Sequence, residues 1–152
     1  MRNFLPMASL LAASLCVAAL FSGPVRAEDH EIRMLNSGAK GAMVFEPDFL
    51  RIAPGDSVRF VPTDKGHNVE TVKGMMPEGA GAIKGKFNKE VLVTFDHDGV
   101  YGFKCAPHYA MGMVALVEVG TPVNLEEARA VKQTGKAKSR FAEAFATLDA
   151  AN

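Results

Sequence analysis

Residues 104–113 read KCAPHYAMGM and set a thiol, an imidazole and a thioether on one short loop. His108 follows Cys105 by three positions and Met113 follows it by eight. The preceding residues, Val100 to Lys104, read as a strand, so the loop springs from a rigid element. Sulfur donors combined with nitrogen are soft and suit copper. Two histidines and one cysteine in a plane, with a distant axial methionine, describe the copper site that passes single electrons. The loop supplies only one imidazole, so a second has to come from His30, His67 or His97. His67 is the best placed, because Asp64-Lys65-Gly66-His67-Asn68 carries it just past a turn after the strand Ser57 to Val61. His30, near the start of the mature chain, and His97, in the turn Asp96-His97-Asp98-Gly99, read as solvated surface residues.

Cys105 gains meaning from where the chain goes. Residues 1–27, MRNFLPMASLLAASLCVAALFSGPVRA, combine a basic start at Arg2, an apolar run from Met7 to Phe21 and the small-x-Ala ending Val25-Arg26-Ala27. This is the pattern of a cleaved secretory signal. The run is short for a bilayer span and Gly23-Pro24 breaks it, which argues against an anchor. Leu15 before Cys16 does not suit lipoprotein processing, so Cys16 is expected to leave with the leader. The remaining domain, residues 28–152, then holds one cysteine and cannot close an internal disulfide. In an oxidising compartment such a thiol needs protection, either by inert burial or by a metal. Without Arg2 and Arg26 the mature chain carries 15 basic and 17 acidic side chains, a net of about −2, which provides no field to recruit nucleic acid.

The mature chain is the size of one domain with one core. From Glu28 to about Val119, short alternating segments (His30 to Leu35, Ser57 to Val61, Val91 to Phe95) are punctuated by turn signals at Ser37-Gly38, Pro54-Gly55-Asp56 and Asp98-Gly99. The spacing predicts an antiparallel β-sandwich over residues 28–120, with Lys73 to Asn88 as an irregular segment. A helical tail over 121–152 follows. Asn124 reads as an N-cap with an acid at the third position, Leu125, Ala128 and Val131 share a face, and Gly135 is the expected stop. A second helix from about Ser139 to Ala150 carries Phe141, Phe145 and Leu148 as a stripe suited to lying on the sandwich. There are no repeats and no phosphate-binding glycine loop.

The stretches MVFEPDFLRIAPGDSVRFVPTDKGHNVE (43–70) and CAPHYAMGM (105–113), with the two helices after them, resemble the pseudoazurins, a bacterial periplasmic branch of the cupredoxins. The resemblance spans essentially the whole mature chain. It implies an all-β, eight-stranded Greek-key sandwich with two C-terminal α-helices. It also implies one type 1 copper ion held by His67, Cys105, His108 and Met113, with Met111 in the apolar surface nearby. Asn36 matches the position whose backbone N–H donates to the cysteine sulfur, and Asn68 the asparagine that steadies the ligand loops. The expected activity is single-electron shuttling by a periplasmic monomer, not catalysis, to an acidic redox partner such as a nitrite reductase in denitrification. The partner docks on an apolar patch (Met43, Pro62, Pro107, Met111) ringed by Lys65, Lys84, Lys104, Lys136 and Lys138. Ser37 stands where some relatives carry a further lysine. No contact with nucleic acid, or with a membrane after leader removal, is expected.

Two other classes compete with this reading. A cysteine-nucleophile enzyme needs an activating base, an orienting group and a substrate cleft, and the sequence offers no recognisable oxyanion site. A periplasmic copper carrier without an electron-transfer role uses the same ligands and differs in colour and redox behaviour. A multicopper oxidase needs histidine clusters that this chain lacks.

Overall fold

The computed structural model describes residues 26–150, so most of the leader, Cys16 and the last two positions lie outside the described residues. Eight strands run in order: β1 (Asp29–Gly38), β2 (Gly41–Glu46), β3 (Phe49–Ile52), β4 (Ser57–Val61), β5 (Glu70–Thr71), β6 (Val91–Thr94), β7 (Gly99–Lys104) and β8 (Val114–Val119). Helices α1 (Leu125–Ala130) and α2 (Ala137–Ala150) close the chain. None of the described helices is long and apolar enough to cross a membrane.

The strands form two four-stranded sheets, in the orders β2-β1-β4-β6 and β3-β8-β7-β5. Both sheets are mixed, which corrects the expectation of a purely antiparallel sandwich. β1 runs parallel to β4 and β3 parallel to β8, while the remaining pairs are antiparallel. Periodicity reports which face of a strand is buried and carries no information about the direction of its neighbour.

Side-chain alternation explains the core. Ile32 and Met34 of β1 and Val58 and Phe60 of β4 point into the space between the sheets, where they meet Tyr101, Phe103 and Cys105, and Ala115, Val117 and Val119. Tyr101, Phe103 and Cys105 are spaced by two, so the strand that packs two aromatic rings also aims the thiol inward. Phe60 and Phe103 lie with ring centroids 4.9 Å apart. Burying each ring stabilises the fold by roughly 1.5–3 kcal/mol.

The opposite face of β7 and β8 is buried too, which accounts for the nearly continuous apolar run Val114–Val119. Val100, Val114 and Leu116 form a second cluster with Phe141, Ala144, Phe145 and Leu148 of α2 and with Ala128 of α1. The helical tail is therefore the third layer, as the Phe141-Phe145-Leu148 stripe predicts. Two helix details differ from expectation. Asn124 occupies the N-cap position but makes no side-chain cap bond. Its amide instead accepts from the Val100 N–H at 2.7 Å and donates to the Val100 carbonyl at 2.9 Å, tying α1 to β7. Helix α1 stops at Ala130, not at Gly135, because Val131 turns extended and residues 131–136 run against the loop that follows β7. The segment between β5 and β6 is irregular, as expected, apart from one bridge between Glu70 and Lys84.

Candidate metal centre

At one end of the sandwich, the loop after β4 and the loop between β7 and β8 bring three donors together. His67 Nδ1 lies 3.2 Å from His108 Nδ1, and Cys105 Sγ lies 3.8 Å from the first and 3.5 Å from the second. His67 and Cys105 are completely buried, and His108 is partly exposed. The point equidistant from the three atoms is about 2.0 Å from each, the length that imidazole keeps to a divalent first-row ion. The spacing of the three donors is therefore of the size that such an ion needs.

The backbone sets this geometry. The His108 N–H donates to the Cys105 carbonyl at 3.2 Å, the Cys105 N–H donates to the Met113 carbonyl at 3.0 Å, and the Met113 N–H donates to the His108 carbonyl at 3.1 Å. The loop is thereby curled with Met113, fully buried, beside the other two residues. Its neighbour of similar chemistry, Met111, is 46% exposed and belongs to the surface.

Asn68 joins the two ligand loops. Its side-chain oxygen accepts from the Ala106 N–H at 2.9 Å, while its amide nitrogen donates to Glu70 at 3.0 Å and to the Gly85 carbonyl at 3.4 Å. This is the steadying role expected of it. Asn36 acts differently from expectation. Its backbone N–H donates to Asp64 at 2.7 Å, not to the sulfur, and the N–H groups directed at the sulfur are those of Asn68 and His108. The Asn36 side-chain oxygen instead sits 2.9 Å from His67 Nε2. An amide oxygen only accepts, so Nε2 carries the proton and Nδ1 is left with the lone pair a metal needs. Asn88 is a site residue that the sequence reading missed. Its N–H donates to the His67 carbonyl at 2.9 Å, and its side-chain oxygen accepts from the Gly66 N–H at 2.6 Å. A lone Asn in a lysine-rich loop carries no sequence signal for this contact.

Burial acts on the two buried donors in different ways, holding the proton on the thiol and off the imidazole. Burial pushes the Cys105 thiol up, against the opposing pull of the Asn68 and His108 N–H groups. Burial, and then the nearby His108, push the His67 imidazole down, so it stays neutral and able to ligate. The other two histidines stay apart from the site. His97 is exposed, whereas His30 is not simply solvated: its Nε2 lies 3.0 Å from the buried carboxylate of Asp56. Among the described residues, His67, Cys105 and His108 are the cluster of His, Cys and carboxylate groups arranged to hold a metal. Cys105 is the free cysteine among the described residues.

Around the site, Pro107 is exposed, Pro62 is half-buried and Met43 is half-buried against the core. Lys65, Lys84, Lys136 and Lys138 are exposed. Lys104 lies over the Tyr109 ring, 5.2 Å from its centroid. The Lys136 N–H donates to the Ala110 carbonyl at 2.8 Å, which brings the tail against the ligand loop.

Comparison with known proteins agrees with this geometry. The family model for copper binding proteins of the plastocyanin/azurin family matches residues 32–120. The pseudoazurin of Methylorubrum extorquens is 51% identical over 142 residues, covering 93% of this chain and 96% of the relative. That of Paracoccus pantotrophus is 50% identical, covering 88% and 92%. Among solved structures, pseudoazurin from Methylobacterium extorquens AM1 superposes with a TM-score of 0.77 at 54% identity, covering 79% of this chain and 98% of that one. The pseudoazurin from Sinorhizobium meliloti gives 0.79 at 45% identity, covering 82% and 99%. A cysteine and two histidines already spaced for a soft first-row ion, in a sandwich of this form, thus have their counterpart in known copper proteins, and the chain belongs to the plastocyanin/azurin family of copper-binding proteins as a member of its pseudoazurin branch.

Proposed function

We propose that the chain is a periplasmic type 1 blue copper protein that carries single electrons to a redox partner, a nitrite reductase of denitrification, and that Met113 would join His67, Cys105 and His108 in holding the ion. The bound ion supplies a one-electron couple between copper(II) and copper(I). The residues supply the rest. Cys105, His67 and His108 already stand at ligand spacing, so a change of valence asks little movement of them. Phe60, Phe95, Phe103 and Met113 keep water from the sulfur side, and this apolar surround favours the less charged, reduced state. The partly exposed His108 ring provides the way out to a partner. Membership of the pseudoazurins supports the redox role, and the leader pattern of residues 1–27 supports the periplasm.

The single observation that carries the reading is the His67-Cys105-His108 triangle, whose donor atoms all lie within 4.8 Å of one another. The test is an absorption spectrum of the oxidised, copper-loaded protein beside that of His67→Ala. The parent is expected to show an intense blue thiolate-to-copper band and reversible voltammetry, and the variant to lose the band. A colourless parent that binds copper(I) and yields it readily to a chelator favours the carrier reading instead.

A further inference from the structure

The segment from Lys84 to Lys89 lies alongside the His67 loop and is bound to it at several points. The Gly85 N–H donates to the Val69 carbonyl at 2.8 Å, and Asn68 donates to the Gly85 carbonyl at 3.4 Å. Asn88 grips both Gly66 and His67. Asn88 adopts φ 58°, a left-handed conformation that asparagine tolerates better than most residues. At the tip of this fixed turn Phe87 stands 52% exposed. Lys84, Lys86 and Lys89 around it are exposed and make no ion pair among the described residues. The one acid of the turn's far side, Glu90, is occupied by Arg59 at 2.6 Å.

A lone exposed apolar residue needs no explanation, but this one is an aromatic ring on a turn held against a ligand histidine and set among lysines that make no ion pair among the described residues, Glu70 opposite Lys84 being bound by Asn68. We propose that the Lys84–Lys89 turn is a second lobe of the docking face, with Phe87 as its apolar anchor and Lys86 and Lys89 as its steering charges. The occupant that fits is the acidic surface of a redox partner. A second copy of the chain would set the same lysines against each other. Because the turn is already held in place, little ordering entropy is lost when Phe87 docks. Aromatic anchors of this kind carry much of the affinity in small interfaces. The inference rests on the electron-transfer reading and extends its contact surface beyond the residues around Pro107 and Met111.

The test uses the copper-loaded, reduced protein and two oxidants, nitrite reductase and hexacyanoferrate(III), each taking one electron from the copper(I) protein. Phe87→Ser is expected to lower the second-order rate with nitrite reductase about five- to tenfold. Its blue band and its rate with the small inorganic oxidant, which needs no docking face, are expected to stay at parent values. Lys86→Glu with Lys89→Glu should slow the reductase reaction and weaken its dependence on ionic strength. Parent-like rates with the reductase for both variants overturn the proposal, as does an equal slowing by Phe87→Ser with both oxidants. Should the parent itself pass no electron to the reductase, the partner named above is wrong. The turn is then judged by amide shifts during titration with polyglutamate: shifts centred on residues 84–89 support it, and shifts confined to other faces overturn it.

Discussion

At Pro107 the chain lacks the N–H that Asn68 and His108 each direct at the Cys105 sulfur. The sulfur therefore meets two backbone donors where a third residue of the same loop could add another. Each donor draws electron density from the thiolate and favours the reduced ion. Pro107→Ala is accordingly expected to raise the reduction potential, and voltammetry returning the parent value or a lower one would count against this. The residue scale is also where the sequence was most and least legible. Cys105, His108 and Met113 could be read because a short loop confines them, and His67 because a turn after a strand aims it. Which N–H faces the sulfur could not be read, since that depends on how two loops distant in sequence lie against each other. Asn36, whose N–H the family resemblance directs at the sulfur, instead holds the His67 ring from behind through its side-chain oxygen.

At the scale of elements, the helical tail covers a sheet face and also braces the ligand loop. Gly135 adopts φ 53°, and a Cβ there would collide with the carbonyl oxygen of Ala110. Tyr109 of the ligand loop donates its hydroxyl to Gln133, whose amide donates in turn to Val131 and to the Met75 sulfur. Gly135→Ala thus combines a positive φ with a steric clash and is expected to cost about 1–3 kcal/mol of stability. The clash pushes on a residue between His108 and Met113, so the blue band is expected to shift as well. A lower melting temperature with an unchanged band would show that the tail braces the fold without tuning the site. The α2 stripe was legible because its period is intrinsic to the helix. The early end of α1 was not, because it is dictated by contact with Ala110 and Tyr109 and not by a stop signal of its own. The two parallel strand pairs were hidden for the reason that applies to any sheet: alternation survives reversal of the neighbour.

For the molecule as a whole, near-neutral net charge means that steering has to come from local asymmetry. Lys65 and Lys104 flank the ligand loops, so reversing both to Glu is expected to slow association with an acidic partner and flatten its salt dependence; rates indifferent to both changes would remove the steering role. At the other margin of the fold, Asp56 is nearly buried. It accepts from the Glu28 N–H at 2.8 Å and the Ala53 N–H at 3.0 Å and faces His30 at 3.0 Å. These contacts, the Glu28 bond foremost and then His30, hold its carboxyl below the usual carboxylate range. The stability it contributes is present above the unfolded carboxyl's pKa of about 3.9 and is lost as pH falls through the lower folded value. Asp56→Asn is expected to lower the melting temperature at pH 7 by about 5 °C or more, with the gap to the parent closing in strong acid. Removal of the leader after Ala27 would turn the Glu28 amide into a free ammonium group facing this same carboxylate. A chain beginning at Glu28 should then melt higher than one that keeps Ala27 or a start methionine. The advantage should be complete between the pH at which Asp56 is fully ionised and the free amine's ordinary pKa of about 7.7–8.0, and vanish both in strong acid and as the folded chain's amine deprotonates at higher pH. Maturation would in that case finish the protein's stability as well as its address, and a recombinant product with a ragged front end would be the weaker molecule while keeping every copper ligand.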